Sequence, residues 1–440
     1  MIARRSARVG IVGAGISGIV AMVALRDAGH EVVAFERAEY VGGLWNNGYD
    51  SLHLFTSKQM ASFPGYPMPE DYPLFPSGQQ FLDYVRKYAV EKGVVHDIRL
   101  NSNVVALDPV DHGHRGWTIT LGDGTREQFD AVVLANGHFY KPKRRPVYPG
   151  SYSGTQIHTV DFRHLSDFAG DSVLIVGAGP SATDIAADAV AAGKRVALSV
   201  RSGRYIVPAS VGSRTRMDFT LPSATPGWVM SAVSTGLMRV TTGRPEKLGL
   251  PAPQGGIRGG KVTQSTLVPY WIQRGKIDVL PEIESLSDRS IRFVDGTTRD
   301  FDMIIWANGY EAEVPFAPEG LITWIDGMPA RIVGGTLSPD APNLYYNGWV
   351  SGFNSSSQLY SASARLIARM VGAQLILDTP LNRGVFGDEV PSGQLKFELF
   401  KWRDLLVAAE RRLARATGER VPSRSELIRL YPWAQLRLDP

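Results

Sequence analysis

The chain has 440 residues, enough for two or three domains, and its 44% hydrophobic and 20% charged residues are the balance of a folded globular protein. A net charge of +4, without a long lysine or arginine run, gives no footing for nucleic acid. There is no cysteine, which excludes disulfides, thiolate catalysis and cysteine-ligated metals, and the 8 histidines show no zinc-ligand spacing, so no metal site is expected.

Arg4-Arg5 stands just ahead of an apolar strand pattern, leaving no room for a cleavable apolar segment, and no run approaches the ~18 apolar residues of a membrane span. The expectation is a cytoplasmic protein with no membrane partner. The apolar run Val9 to Val12 ends in Gly13-Ala14-Gly15-Ile16-Ser17-Gly18. An alanine-rich helical pattern follows to about Ala28, then a second strand pattern from Glu31 to Phe35, closed by Glu36. Strand, glycine loop, helix, strand and terminal acid in that order form a dinucleotide-binding fingerprint. Gly13 suits the tight turn, Gly15 the close approach of a pyrophosphate on the helix N-terminus, and Gly18 the packing of helix on strand. Glu36 suits ribose hydroxyls.

Residues 52 to 88 carry Pro64, Pro67, Pro69, Pro73 and Pro76 and cannot be one regular element. Ser77 to Tyr88 reads as a helix capped by Ser77. Val104 to Leu107, Trp117 to Leu121 and Phe129 to Leu134 read as strands of an antiparallel unit, with a turn at Gly122-Asp123-Gly124.

The first pattern then recurs. Strand Ser172 to Val176 leads into Gly177-Ala178-Gly179-Pro180-Ser181-Ala182, a helix from Thr183 to Ala192 and a strand from Lys194 to Val200. This strand ends in Arg201, with Arg204 close behind, where the first ends in an acid. An acid receives ribose hydroxyls and repels a 2′-phosphate, whereas arginine pairs with the phosphate. The first loop is therefore assigned to FAD and the second to NADPH.

Residues 203 to 270 predict long loops with short helices, and Ile277 to Val279, Ile291 to Val294 and Met303 to Trp306 predict strands. Leu134-Ala135-Asn136-Gly137-His138 and Trp306-Ala307-Asn308-Gly309-Tyr310 are similar strand-to-glycine junctions and suit the two crossings between nucleotide domains. Asn343 to Val371 predicts a strand, a loop holding Gly352-Phe353-Asn354-Ser355, and a helix starting near Ser356 whose amides can face a flavin pyrimidine. Phe397 to Ala416 predicts an amphipathic helix. The fold class is α/β with two Rossmann-like dinucleotide-binding domains, the NADPH domain inserted in the FAD domain. The FAD domain takes residues 1–150 and 311–440, and the NADPH domain takes 151–310.

Several motifs together resemble the flavin-containing monooxygenase family. Tyr152, Gly154, His158 and Phe162 match the spacing of its signature, just ahead of the second glycine loop. Gly42-Gly43-Leu44-Trp45 is similar to its glycine pair and tryptophan. The stretch from Lys58, with Pro69-Glu70-Asp71-Tyr72-Pro73 and Gln80 to Tyr84, resembles the family's flavin-side region, and Trp306 to Tyr310 its second crossing motif. The resemblance spans roughly residues 8 to 375 and implies a flavin reduced by NADPH that reacts with O2 to a C4a-(hydro)peroxyflavin. That species passes one oxygen to nitrogen or sulfur of a small substrate while bound NADP⁺ shields it. Candidate cofactor residues besides the two loops and Glu36 are Ser17, Arg37, Gly43, Leu44, Trp45, His53, Val105, Asn136, Gly137, His158 and Gln358.

Two departures bear on the chemistry. The asparagine that many members carry beside the flavin aligns with Phe55, flanked by Thr56 and Ser57; these and Asn308 are the catalytic candidates. Leu52-His53-Leu54 resembles instead the plant indole-3-pyruvate monooxygenases, which decarboxylate oxidatively. The signature's end at Phe162-Arg163, where Baeyer–Villiger relatives carry Trp-Pro or Trp-Asp, argues against that class. Oxidative decarboxylation or Baeyer–Villiger oxidation on the same scaffold is the second expectation. A flavin disulfide reductase is ruled against by the lack of cysteine, and a dinucleotide sensor and a homodimer stay open.

Overall fold

The computed structural model describes residues 6–208, 210–211, 214–215, 229, 232, 236, 244–254, 261–351, 355–397 and 399–430. Most of the loop-rich stretch from 209 to 243, and Gly352, Phe353 and Asn354, lie outside these. Two compact units form, one from residues 1–46, 56–141 and 311–440, the other from 47–55 and 142–310. The second unit thus begins ahead of the expected boundary at 150, and it takes in a short segment, 47–55, that the sequence pattern had left with the first.

The first unit is built on a parallel five-stranded sheet. Its order is Leu344–Tyr346, Ala131–Leu134, Arg8–Val12, Glu31–Phe35 and Ile98–Arg99. The strands are short and apolar, as expected where helices cover a parallel sheet. The helices Ile16–Asp27 and Ser356–Gln374 pack on each other, and nine residues of the first are buried. The strand expected from Phe129 to Leu134 is two strands broken at Asp130. Arg126–Phe129 closes an antiparallel sheet with Val104–Pro109 and Trp117–Leu121, and Ala131–Leu134 joins the parallel sheet beside the glycine-loop strand. Asp130 makes the break: its carboxylate accepts the backbone N–H of Arg8 at 2.7 Å and pins the corner. The helix predicted behind Ser77 runs Gly78–Glu91 with a complete capping box between Ser77 and Gln80.

The second unit repeats the plan. Thr155–His158, Met303–Trp306, Ser172–Val176, Arg195–Ser199 and Ile277–Leu280 form a parallel sheet in that order. In each unit the loop strand lies between a strand ending in Ala-Asn-Gly and the strand ending in the candidate specificity residue. A mixed sheet is attached to the second unit: Thr298–Asp300, Ser290–Phe293 and Ile283–Asp288 run antiparallel in turn, and Gly150–Tyr152 pairs parallel with the last of them.

Candidate functional site

In the first unit the turn after Val12 is made by Gly13 at φ +103°. A Cβ there would come 2.8 Å from the Ala135 carbonyl oxygen, and one at Gly18 would come 1.9 Å from the Gly13 carbonyl oxygen. Both glycines are steric requirements of the loop itself. Gly15 differs: its Cβ would come no nearer than 3.6 Å to the Gly43 backbone, an ordinary contact. The Gly42 N–H donates to the Ala14 carbonyl at 3.0 Å, so the Gly-Gly pair crosses directly over the loop. Gly15 caps its helix without any side-chain bond, which leaves the first-turn amides uncapped by side chains.

Glu36 is buried, and its carboxylate accepts the N–H of Ala14 at 2.8 Å and that of Ala38 at 3.0 Å. Ser17 donates its hydroxyl to the Ala135 carbonyl at 3.1 Å, and the Asn347 amide donates to the Ser17 carbonyl at 2.8 Å. Arg37 is exposed and stacks over the Tyr140 ring. Leu44 is exposed, and Trp45 packs edge-on against Phe81. Val105 sits at a bulge where the ladder between Val104 and Ala106 skips a residue, leaving its backbone outside the regular pairing. The Asn136 amide donates to the Glu313 carbonyl at 2.9 Å, and Gly137 takes φ +77° with open space where a Cβ would lie. The helix N-terminus expected near Ser356 is there: Ser355 caps it by accepting the Ser357 N–H. Gln358 Oε1 is a buried acceptor with no donor among the described residues.

In the second unit Gly177 takes φ +135°, and its Cβ would come 2.6 Å from the Ala307 carbonyl oxygen, the counterpart of the Gly13–Ala135 contact. Ala182, at the place of Gly18, is fully buried. Gly179 caps the Pro180–Ala191 helix without a side-chain bond, and its Cβ would project into open space. Pro180 opens the helix, where a missing N–H costs nothing, and Ser181 follows beside Tyr49. Uncapped helix amides with a side-chain-free approach fit a dinucleotide pyrophosphate in both units. Arg201 is exposed and stands 3.6 Å from Glu282. Arg204 is half-buried, has no carboxylate partner among the described residues, and burial lowers its pKa.

The signature residues have packing roles. A Cβ at Gly154 would come 2.5 Å from the Tyr152 hydroxyl and 2.7 Å from the Asp302 carbonyl oxygen. His158 Nδ1 accepts the Val160 N–H at 3.1 Å, while its Nε2 faces the Gly309 carbonyl at 3.2 Å. Phe162 is buried against Tyr49 and Phe168. The Asn308 amide donates to the Arg144 carbonyl at 2.9 Å. His158 and Asn308 thus brace the second crossing.

Among Phe55, Thr56 and Ser57, the first two are half-buried and Ser57 is fully buried. Ser57 accepts the Met60 N–H and caps the short helix Lys58–Ala61. Lys58 holds the carbonyls of Glu70 and Tyr72, each at 2.6 Å, which explains why a lysine accompanies the Pro69–Pro73 stretch. His53 is exposed, and its Nδ1 faces the nearby Ser51 carbonyl at 2.8 Å.

Three residues escaped sequence reasoning. Tyr49 donates to Asp184 at 2.6 Å. Arg331, 2% exposed, has three backbone carbonyls as acceptors and, among the described residues, no carboxylate. No local pattern signals either arrangement, because apart from Pro329, two residues before Arg331, the partners are remote in sequence.

The pattern of residues 6–330 matches the model of the flavin-binding monooxygenase-like family. The chain belongs to that family. Its curated relatives carry names of more than one activity. It is 28% identical over 348 residues to the N-oxide-forming dimethylaniline monooxygenase 2 of Oryctolagus cuniculus, covering 73% of this chain and 65% of that one. The chain therefore spans just under two thirds of that relative. It is 28% identical over 386 residues to the probable indole-3-pyruvate monooxygenase YUCCA8 of Arabidopsis thaliana, covering 84% of this chain and 89% of that one. The S-allyl-L-cysteine S-oxygenase of Allium sativum shares the fold, with a TM-score of 0.65 at 22% identity over 97% of this chain and 92% of that one. Among the described residues, no helix is long and apolar enough to cross a membrane, and no group of three histidines or carboxylates is placed to hold a metal ion.

Proposed function

We propose that this chain is an NADPH-dependent FAD monooxygenase that transfers one atom of O2 to nitrogen or sulfur of a small organic substrate. The observation that carries the reading is the pair of like-built glycine loops on one chain, one closed by the buried acid Glu36 and the other followed by Arg201 and Arg204. That pairing suits one cofactor with free ribose hydroxyls and one with a 2′-phosphate. Family membership, and the nitrogen- and sulfur-oxygenating names of the relatives, support the choice of acceptor atom.

The oxygen-activating chemistry belongs to reduced FAD when it is bound. The chain's own share is binding and orientation. Amides behind Gly15 and Gly179 receive the two pyrophosphates, and Glu36 receives the adenosine ribose of FAD. Arg201 and Arg204 take the 2′-phosphate. The amides at the start of the Ser356–Gln374 helix, with Gln358, would hold the flavin pyrimidine. Phe55 would exclude water without donating a hydrogen bond, and the half-buried Thr56 next to it in the chain would offer a hydroxyl. A cytoplasmic location, where NADPH is available, suits this role.

Oxidative decarboxylation of a 2-oxo acid is the second reading. It is favoured by Phe55 in the place of the amide and by the likeness to the plant enzyme over most of both chains. Purified protein incubated with NADPH, O2 and a panel of amines, sulfides, ketones and 2-oxo acids separates the two by product mass. An N- or S-oxide supports the first reading, and loss of CO2 the second. Absence of bound FAD, or of NADPH-dependent oxygen uptake with every compound, rejects both.

A further inference from the structure

Segment 47–55 leaves the first unit and belongs to the second. Its fastening is specific. Tyr49, 9% exposed, donates its hydroxyl to Asp184 on the Pro180–Ala191 helix at 2.6 Å, and Ser51 donates to Asp188 one turn further along. The Asp50 N–H donates to the Arg163 carbonyl at 2.9 Å, and the Asp50 carboxylate pairs with His164 at 2.8 Å. The same Tyr49 hydroxyl has the Ser181 side chain beside it, inside the second glycine loop, and its ring packs on Phe162 of the signature. A carboxylate on a coenzyme helix would ordinarily be solvated. Here burial raises the Asp184 pKa to about 6, Asp188 adds to the rise, and Tyr49 and His53 oppose it. The bond between Tyr49 and Asp184 is thus a partly desolvated one placed a single turn behind the loop amides.

We propose that Tyr49 positions the second glycine loop for its dinucleotide, acting through Asp184. The inference rests on the reading of that loop as the NADPH site. Tyr49 touches no reacting atom; it holds the first turn of the helix, and with it Ser181 and the amides behind Gly179, in the orientation a pyrophosphate needs.

The test is calorimetric titration of FAD-loaded protein with NADP⁺, with FAD content and unfolding midpoint measured alongside. Tyr49→Phe keeps the ring and should raise the dissociation constant about tenfold, the effect of one hydrogen bond to a charged group. Asp184→Ala should do the same, the double variant should be no weaker than the worse single, and Asp184→Asn, which still offers an acceptor, should restore most of the affinity. Ser51→Ala, which frees Asp188, should stay within about twofold of wild type. FAD content and unfolding midpoint should change little in Tyr49→Phe. Unchanged affinity in Tyr49→Phe, additive losses in the double variant, or affinity lost only together with FAD and fold would each overturn the inference while leaving the coenzyme site standing. Wild-type protein that binds no NADP⁺ would overturn the coenzyme reading and this inference with it.

Discussion

The Glu36 carboxylate accepts the backbone N–H of Ala14 at 2.8 Å, so the acid at the strand end ties down the glycine loop. Its other oxygen accepts the Ala38 N–H. Glu36→Ala would leave the buried Ala14 donor without its acceptor, a loss of about 1–3 kcal/mol, and free the part-buried Ala38 donor at a smaller cost. We expect this variant to lose FAD and also to unfold earlier as apoprotein. Glu36→Gln, which retains one acceptor oxygen, should fall between. Apoprotein melting together with flavin absorbance checks both, and apoprotein stability equal to wild type would limit Glu36 to the ligand.

The glycines divide into two kinds. Gly18→Ala puts a Cβ 1.9 Å from the Gly13 carbonyl oxygen and should yield little folded protein. Gly179→Ala places its methyl in open space, so the fold should stay within about 0.5 kcal/mol of wild type while NADP⁺ binding weakens at least severalfold. Gly15→Val has ordinary contacts with Gly43 and should fold yet purify colourless. A yellow, fully loaded Gly15→Val protein would remove the first loop from the FAD site.

Coenzyme choice should depend on both strand-end arginines. Arg201 is exposed near Glu282, and Arg204 is half-buried without a carboxylate partner among the described residues. Either alanine variant should lose roughly ten- to a hundredfold in NADPH affinity and little in NADH affinity. Equal losses for the two coenzymes would mean that neither residue reads the phosphate.

At Phe55 the expected result is chemical. With no amide donor at this place, wild-type protein should release a substantial share of its NADPH oxidation as hydrogen peroxide. Phe55→Asn should lower that share. Peroxide counted against NADPH consumed and product formed gives the answer, and an unchanged ratio in Phe55→Asn and Thr56→Ala would move the search for a donor to another loop.

Acidification should destabilise the fold through buried histidines. Burial lowers the pKa of His30, His138 and His158 from the ordinary 6.5. His30 and His158 each accept a backbone N–H on Nδ1, a bond that a protonated nitrogen cannot accept. A depressed folded-state value means that the unfolded chain binds more protons below the ordinary value, so this stability is present above about pH 6.5 and lost as pH falls. Urea midpoints should decline through that range, and His158→Gln should flatten the slope. A slope in His158→Gln equal to that of wild type would contradict the assignment.

What the sequence determined was local. Gly13 and Gly177 are legible from the glycine-loop pattern, although the carbonyls that bar a Cβ there belong to the distant Ala135 and Ala307. Gly18 and the capping box of Ser77 and Gln80 are legible because each requirement lies within a few residues of the one that meets it. The same holds for Glu36 and Arg201 at their strand ends. Asp130 shows the limit: Phe129 to Leu134 is one apolar run, and only pairing with Arg8 and the Trp117–Leu121 strand divides it between an antiparallel and a parallel sheet. The placement of residues 47–55 was likewise decided by tertiary structure, because the carboxylates that hold Tyr49 and Ser51 lie more than a hundred residues onward. Arg331 is the plainest case. Nothing near it in sequence predicts a buried cation, since beside the neighbouring Pro329 carbonyl its acceptors are carbonyls of Trp349 and Gln394, brought to it only when the chain has folded. Backbone carbonyls are present at every position, so a sequence carries no mark of which of them a distant guanidinium will find.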